Sequence, residues 1–235
     1  MYLINPYILK EDGPALSGCS GSLISTTNLS GYWKFDGDYT DSSANSNTLT
    51  ATNSPTFTTT DTKLDGAGNE AVEFTAAGGS YCNAAYSSDF DSVGNEFSFF
   101  AWVKVNSFAT QANPVLAGKR TGANGWRILP RANDILFSNN LNVARSTTNS
   151  TGVWYHIGFT RNGSTVKIYK DGSQVGADIT LGATFDISSA FYVNRNPRSS
   201  TSIGDLEVDE CYIFQEELSP ADISTLANSS CPLES

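Results

Sequence analysis

The longest alternating run in the chain lies between Glu96 and Val105. Phe97, Phe99, Ala101, Val103 and Val105 fall on one face of an extended strand, and Phe100 and Trp102 on the other, because successive strand side chains point to opposite sides. A strand apolar on both faces is either covered on both or faces a groove on one. Trp154 to Arg161 repeats the period, with Val153, Tyr155, Ile157 and Phe159 in line, and Thr165 to Lys170 follows. The intervening Asn162-Gly163-Ser164 is hairpin chemistry, and Asp171-Gly172 predicts a second turn before Ser173 to Val175. Shorter runs predict strands over Tyr32 to Phe35, Glu70 to Phe74, Val115 to Lys119, Trp126 to Leu129, Ile135 to Ser138, Phe191 to Asn194 and Glu207 to Phe214. One helix is expected, from Pro220 to Ala227. Ser219 suits its N-cap, Pro220 its first position, and Asp222 stands at the capping-box distance.

About a dozen strands joined by short polar turns predict an all-β, two-sheet antiparallel jelly-roll sandwich with one short C-terminal helix. No internal repeat of fixed period occurs. Residues 1–28 differ: they carry Pro6, Gly13, Pro14, Gly18 and Gly21 and no sustained alternation. They are expected to form an attachment arm, with the sandwich over 29–227 and a tail over 228–235.

Composition agrees with strands. Only 16% of residues are charged, and Ser, Thr, Asn and Gly fill the gap. The net charge of −10 and the absence of a basic cluster along the chain argue against a nucleic-acid partner, which needs cations to displace counterions from phosphates. No stretch is apolar for long enough to predict insertion in a membrane. The start, Met1 to Pro6, lacks the basic region and apolar core of a secretory signal. Cys19, Cys82, Cys211 and Cys231 allow buried free thiols or a bridge between Cys19 and Cys231 near the termini.

The order of segments resembles the LamG-like jelly rolls of the concanavalin A-like lectin/glucanase superfamily. The likeness is carried by Gly31-Tyr32-Trp33-Lys34-Phe35-Asp36-Gly37, Asp41-Ser42-Ser43-Ala44-Asn45, Ala71-Val72-Glu73-Phe74 and Phe97 to Lys104. It continues through Val153 to Ile157, Val166 to Gly172, Asp209-Glu210-Cys211-Tyr212-Ile213-Phe214 and Leu218 to Ile223. The resemblance implies one concave sheet and a groove or rim that holds a sugar. Relatives serve as glycan binders, adhesion modules, enzyme accessory domains and phage appendages. Leu3-Ile4-Asn5-Pro6-Tyr7 also looks like the start of some phage structural proteins. The expected setting is therefore a virion surface or the extracellular space. The expected partners are a cell-surface glycan and a larger assembly docked through the arm. A homo-oligomer is open, although no heptad pattern supplies a stalk.

The candidate chemistry is mostly binding. Glucan-cleaving relatives place three acids on one strand face. Here Glu207 and Asp209 have that spacing, the third position is Cys211, or Tyr212 with a bulge, and Glu210 is expected on the opposite face. The triad is broken, so no enzyme is expected. His156, the single histidine, is expected to be a satisfied structural imidazole. Calcium takes six to eight hard oxygens, and Asp36, Asp38 and Asp41 lie within six residues. If the first and last strands pair, as in relatives, Asp209 joins them, with Asn45 as an outer candidate. The competing reading is a solvated acidic turn in which Asp41 caps its own loop. For sugar, Trp126 offers a ring platform if it is not core packing, and Arg127, Asn194 and Arg195 offer polar contacts. The two guanidiniums also suit the carboxylates of acidic glycans. The alternative function is a structural decoration protein without a ligand.

Overall fold

The computed structural model describes residues 24–59, 63, 69–109, 113–139, 141–182, 184–198, 203–230 and 232–233. In chain order the strands are β1 (Leu29–Trp33), β2 (Thr50–Thr52), β3 (Thr56–Thr58), β4 (Ala71–Phe74), β5 (Tyr81–Ala84), β6 (Glu96–Ser107), β7 (Ala117–Thr121) and β8 (Asn124–Arg131). They continue with β9 (Asp134–Ser138), β10 (Asn142–Ser146), β11 (Trp154–Asn162), β12 (Thr165–Lys170), β13 (Ser173–Gln174), β14 (Ile179–Thr180), β15 (Phe191–Val193) and β16 (Asp205–Phe214). One α-helix among the described residues, α1 (Pro220–Asn228), follows, and a 3-10 turn spans Ser88–Phe90.

The described strands form two antiparallel sheets. A nine-stranded sheet runs β13-β12-β11-β6-β16-β4-β3, with β1 also on β16 and β14 on β12; a seven-stranded sheet runs β10-β9-β8-β7-β15-β5-β2. The first strand therefore pairs with the last, Tyr32 opposite Tyr212 and Trp33 opposite Cys211. The local sequence explains the joints. Asp171 and Gly172 take φ of +49° and +79° between β12 and β13, a two-residue turn whose twist matches the strands. Ser219 accepts from the Asp222 N–H and Asp222 accepts from the Ser219 N–H, closing the expected capping box on α1.

One apolar core fills the space between the sheets. The inward faces of β6 and β11 supply Phe97, Phe99, Ala101, Val103, Ile157 and Phe159. They meet Trp126, Ile128, Phe137, Phe191 and Val193 from the other sheet. A second cluster lies on the outer side of the nine-stranded sheet, where Tyr32, Phe100, Tyr169, Tyr212 and Phe214 are covered by Leu218, Ile223 and Leu226 of the α1 region. This is why β6 is apolar on both faces. Ile24 and Leu233 are buried in the same cluster. The packed unit is thus wider than 29–227, reaching into the expected arm and the expected tail. The rest of that arm, residues 1–23, lies outside the described residues.

Cys82 and Cys211 are buried free thiols. The expected partners Cys19 and Cys231 lie outside the described residues. Among the described residues no helix is long and apolar enough to cross a membrane.

Candidate functional site

The acids of β16 sit on a β-bulge. Asp209 faces Trp102 of β6 and Tyr212 faces Phe100, so Glu210 and Cys211 together oppose Ala101. Glu210 takes φ of +50°. Strict alternation put Glu210 opposite Asp209; the bulge instead turns it to the outer side. There Tyr32 Oη and Tyr212 Oη donate to Glu210 Oε2 at 2.5 and 2.7 Å. Cys211 points into the core. Glu207 is tied to Lys104 by an ion pair of 2.7 Å and accepts from Asn106 at 2.9 Å. Asp209 and Glu210 are both 0% exposed, which closes them to a bulky substrate.

Burial is the main cause that pushes the Glu210 carboxyl up to about 7, and burial followed by the charge of Glu210 holds Asp209 well above the usual carboxylate range. The folded chain therefore keeps protons that the unfolded chain has released from about pH 4.5 upward. Stability contributed at this cluster is full at low pH and falls as pH rises toward 7. Glu210→Gln, which keeps an acceptor for both tyrosines, is expected to flatten that fall. The variant should be more stable than the parent at pH 8 by about 2 kcal/mol, read from urea unfolding at pH 4.5, 6 and 8. Equal pH slopes in the two proteins would refute the assignment.

His156 is buried between Phe100 and Trp102, with ring centroids at 5.2 and 5.1 Å. Burial, then the charge of Lys63, lowers it to about 3. Among the described residues neither ring nitrogen has a hydrogen-bond partner, so it is not the satisfied imidazole that was expected.

The four acids expected to hold calcium do not come together. Asp41 Oδ1 accepts from the Tyr32 and Ser43 N–H groups at 2.9 and 2.8 Å, and Oδ2 accepts from the Asn47 N–H at 2.7 Å. Asp38 accepts from the Thr40 N–H at 2.8 Å, and Asp36 from the Glu70 N–H at 3.0 Å. Asp209 is near enough to Asp36 to feel its charge. Asn45 turns its amide donor to the Leu29 and Ser30 carbonyls. Among the described residues no three His, Cys, Asp or Glu side chains converge on a metal position. The acids are instead tied to backbone N–H groups of the loop, of β1 and of Glu70.

The expected sugar contacts divide. Trp126 is 1% exposed and packs on Phe97, Phe99 and Phe159 at 5.7, 5.1 and 4.9 Å. It is core and offers no ring to a sugar, because β8 points Trp126 and Ile128 inward and Arg127 outward. Asn194 is also fully buried. Its side chain donates to Ser80 O and Gly204 O at 3.0 Å and accepts from the Gly204 N–H at 2.9 Å. It clamps the base of the loop that carries Arg195 and Arg198 and leaves no group for a ligand.

Arg127 and Arg195 do share a face. Registers across the seven-stranded sheet align Thr50, Asn83, Tyr192, Gly118, Arg127, Ser138 and Asn142 in one outward rank. Their chain neighbours Cys82, Phe191, Ala117, Trp126 and Phe137 point into the core. Arg195 lies over the rings of Tyr81 and Tyr192, 4.6 and 4.9 Å from their centroids. A Cβ on Gly118 would stand 2.7 Å from Arg127 Cβ, so a glycine is needed opposite this arginine. Leu129 and Leu136, paired in the next rank, pack with Val115 as an apolar floor. Arg120 donates to Ser138 Oγ and to Gly122 O. Burial first, then Arg127 and Arg198, lowers Arg120 to about 10. The same burial and Arg198 also lower Arg127. A basic patch thus exists although none is visible along the chain, because its members come from separate strands and a loop.

The fold and this face define a class: a jelly-roll sandwich with guanidinium, amide and ring groups on the outer side of one sheet, Arg120 and Ser138 buried there and Arg198 exposed at the rim. A family model described as the Concanavalin A-like lectin/glucanases superfamily matches residues 75–224, and the chain belongs to that family. Solved structures of similar fold include the binding domain of Paraclostridial Mosquitocidal Protein 1 (TM-score 0.68, 17% identity, covering 86% of this chain and 52% of that one). Domain 4 of AbnA, a GH43 extracellular arabinanase from Geobacillus stearothermophilus in complex with arabinotriose, is similar at TM-score 0.63 and 19% identity, covering 86% of this chain and 98% of that one. The binding domain of Botulinum Neurotoxin serotype G is similar at TM-score 0.64 and 18% identity, covering 85% and 50%. The chain spans about half the length of these toxin binding domains. No curated protein matches the chain.

Proposed function

We propose that this chain is a non-catalytic recognition module that binds glycans through the outer face of its seven-stranded sheet. The observation that carries the reading is the rank of Asn83, Tyr192, Gly118, Arg127, Ser138 and Asn142 across neighbouring strands. Sugars need hydroxyl partners beside an apolar surface, and this rank supplies the amides of Asn83 and Asn142 and the half-buried ring of Tyr192. The burial of Asp209 and Glu210 supports the absence of catalysis, and the arabinanase domain with its arabinotriose supports a saccharide ligand on this fold. The finer reading is display outside the cell, on a virion surface with residues 1–28 as the docking segment. It rests on the resemblance, and immunolabelling of purified particles checks it.

The test is a glycan array probed with the parent chain and with Tyr192→Ala. The parent is expected to bind a defined set of glycans, and the variant, which loses the ring under Arg195, at least tenfold less at an unchanged melting temperature. A parent chain that binds no glycan overturns the reading in favour of a purely structural role.

A further inference from the structure

The site carries a feature that a neutral sugar does not need. Among the described residues Arg127 has no side-chain hydrogen bond or ion pair, and its buried Nε has no partner. Arg131 and Arg161, by contrast, are matched: Arg131 holds Asp134 through two bonds of 2.6 and 2.7 Å, and Arg161 donates to Gly163 O, Ser92 Oγ and Asn95 Oδ1. Arg195 Nε lacks a hydrogen-bond partner too, but its guanidinium lies over the Tyr81 and Tyr192 rings. Arg127 instead faces two further guanidiniums, Arg120 and Arg198, close enough for their charges to oppose one another. A chain of net charge −10 gathers three cations here, with no carboxylate among the described residues set against them.

We infer that Arg120, Arg127 and Arg198 form the seat of a carboxylate, and that the ligand of this face is an acidic, carboxylate-bearing saccharide. The inference rests on the glycan reading above and names the sugar class. A guanidinium presents five donors in a planar fork that matches a carboxylate in bidentate fashion. Arg120 is already oriented by Ser138 and Gly122, and Arg198 is exposed at the rim. A carboxylate placed among them relieves their mutual repulsion while Asn83 and Asn142 remain for ring hydroxyls.

The experiment pairs oligogalacturonates and sialylated oligosaccharides with their methyl esters, which remove the charge and keep the sugar. Isothermal titration of the full chain is expected to show the acids bound and the esters at least tenfold weaker, with affinity falling between 50 and 500 mM salt, roughly as a screened charge contact should. Arg127→Ala and, separately, the rim variant Arg198→Ala are each expected to lose about tenfold for the acids and little for the esters. Arg127→Lys should restore less than half of that loss, since the fork and not the charge alone is required. Esters bound as well as acids, with both alanine variants unaffected, overturn the carboxylate seat and leave the glycan reading standing. Sulfated oligosaccharide or oligo(dT) bound as tightly as the acids also overturns it, in favour of general polyanion binding. No saccharide bound in any arm removes the glycan reading itself.

Discussion

Trp126→Ala is expected to lower the unfolding free energy by about 3–5 kcal/mol, the largest single effect in the chain. The indole is 1% exposed and meets Phe97, Phe99, Phe159, Phe185 and Phe191. Phe97, Phe99 and Phe159 come from one sheet, Phe191 from the other and Phe185 from a loop, so truncation opens a cavity where the layers are held together and the strand residues cannot collapse without moving a strand. Among the described residues the indole N–H finds no acceptor. Trp126→Phe should therefore cost much less, since it removes an unsatisfied donor along with some volume. Urea unfolding followed by circular dichroism separates the two variants. Similar losses for both would show that the pocket depends on the indole's shape in a way the ring contacts do not explain. The result also bears on binding assays: a Trp126→Ala chain that fails to bind sugar reports lost structure and says nothing about a platform.

Asp41→Ala should cost on the order of 3 kcal/mol. Its carboxylate accepts three backbone N–H groups, from Tyr32, Ser43 and Asn47, and is 6% exposed. Hydrogen bonds to a charged acceptor are the stronger kind, and removing the acceptor leaves three donors with little access to water. The loss spreads to β1, because Asn47 O also accepts from Trp33 Nε1 at 3.0 Å and Tyr32 supports Glu210. Asp41→Asn retains one acceptor oxygen and should recover roughly half of the loss. Chemical unfolding of the two variants at pH 7 measures this. A loss below about 0.5 kcal/mol for alanine, the range of an ordinary surface change, would mean that water replaces the carboxylate freely.

The larger elements were legible because their periodicity is long. The alternation of Phe97 to Val105, the Asp171-Gly172 turn and the Ser219-Pro220 cap each predict what the chain forms there. The strands that escaped, β2, β3, β5, β10 and β14, are two to five residues long. β5, for example, offers only Cys82 and Ala84 to the core, too little for a pattern to register. The site was half legible. Arg127 and Arg195 were named from residue type, and both lie on the proposed face. Trp126 follows the turn glycines Gly122 and Gly125 and read first as packing, with a sugar platform as the sharper alternative; the inward period of Trp126 and Ile128 puts it in the core. Arg120 and Arg198 were invisible as partners of Arg127, because their proximity is created by strand pairing and by the Asn194 clamp. The bulge at Glu210 likewise breaks alternation at one residue, and nothing local announces it.

Ile24 and Leu233 both pack on the outer side of the nine-stranded sheet, whereas Arg127 stands on the outer side of the other sheet. Among the described residues, the first and the last thus lie on one side of the sandwich and the arginines on the opposite one. Attachment through the region of Ile24 or Leu233 would leave the guanidiniums on the far side of the sandwich.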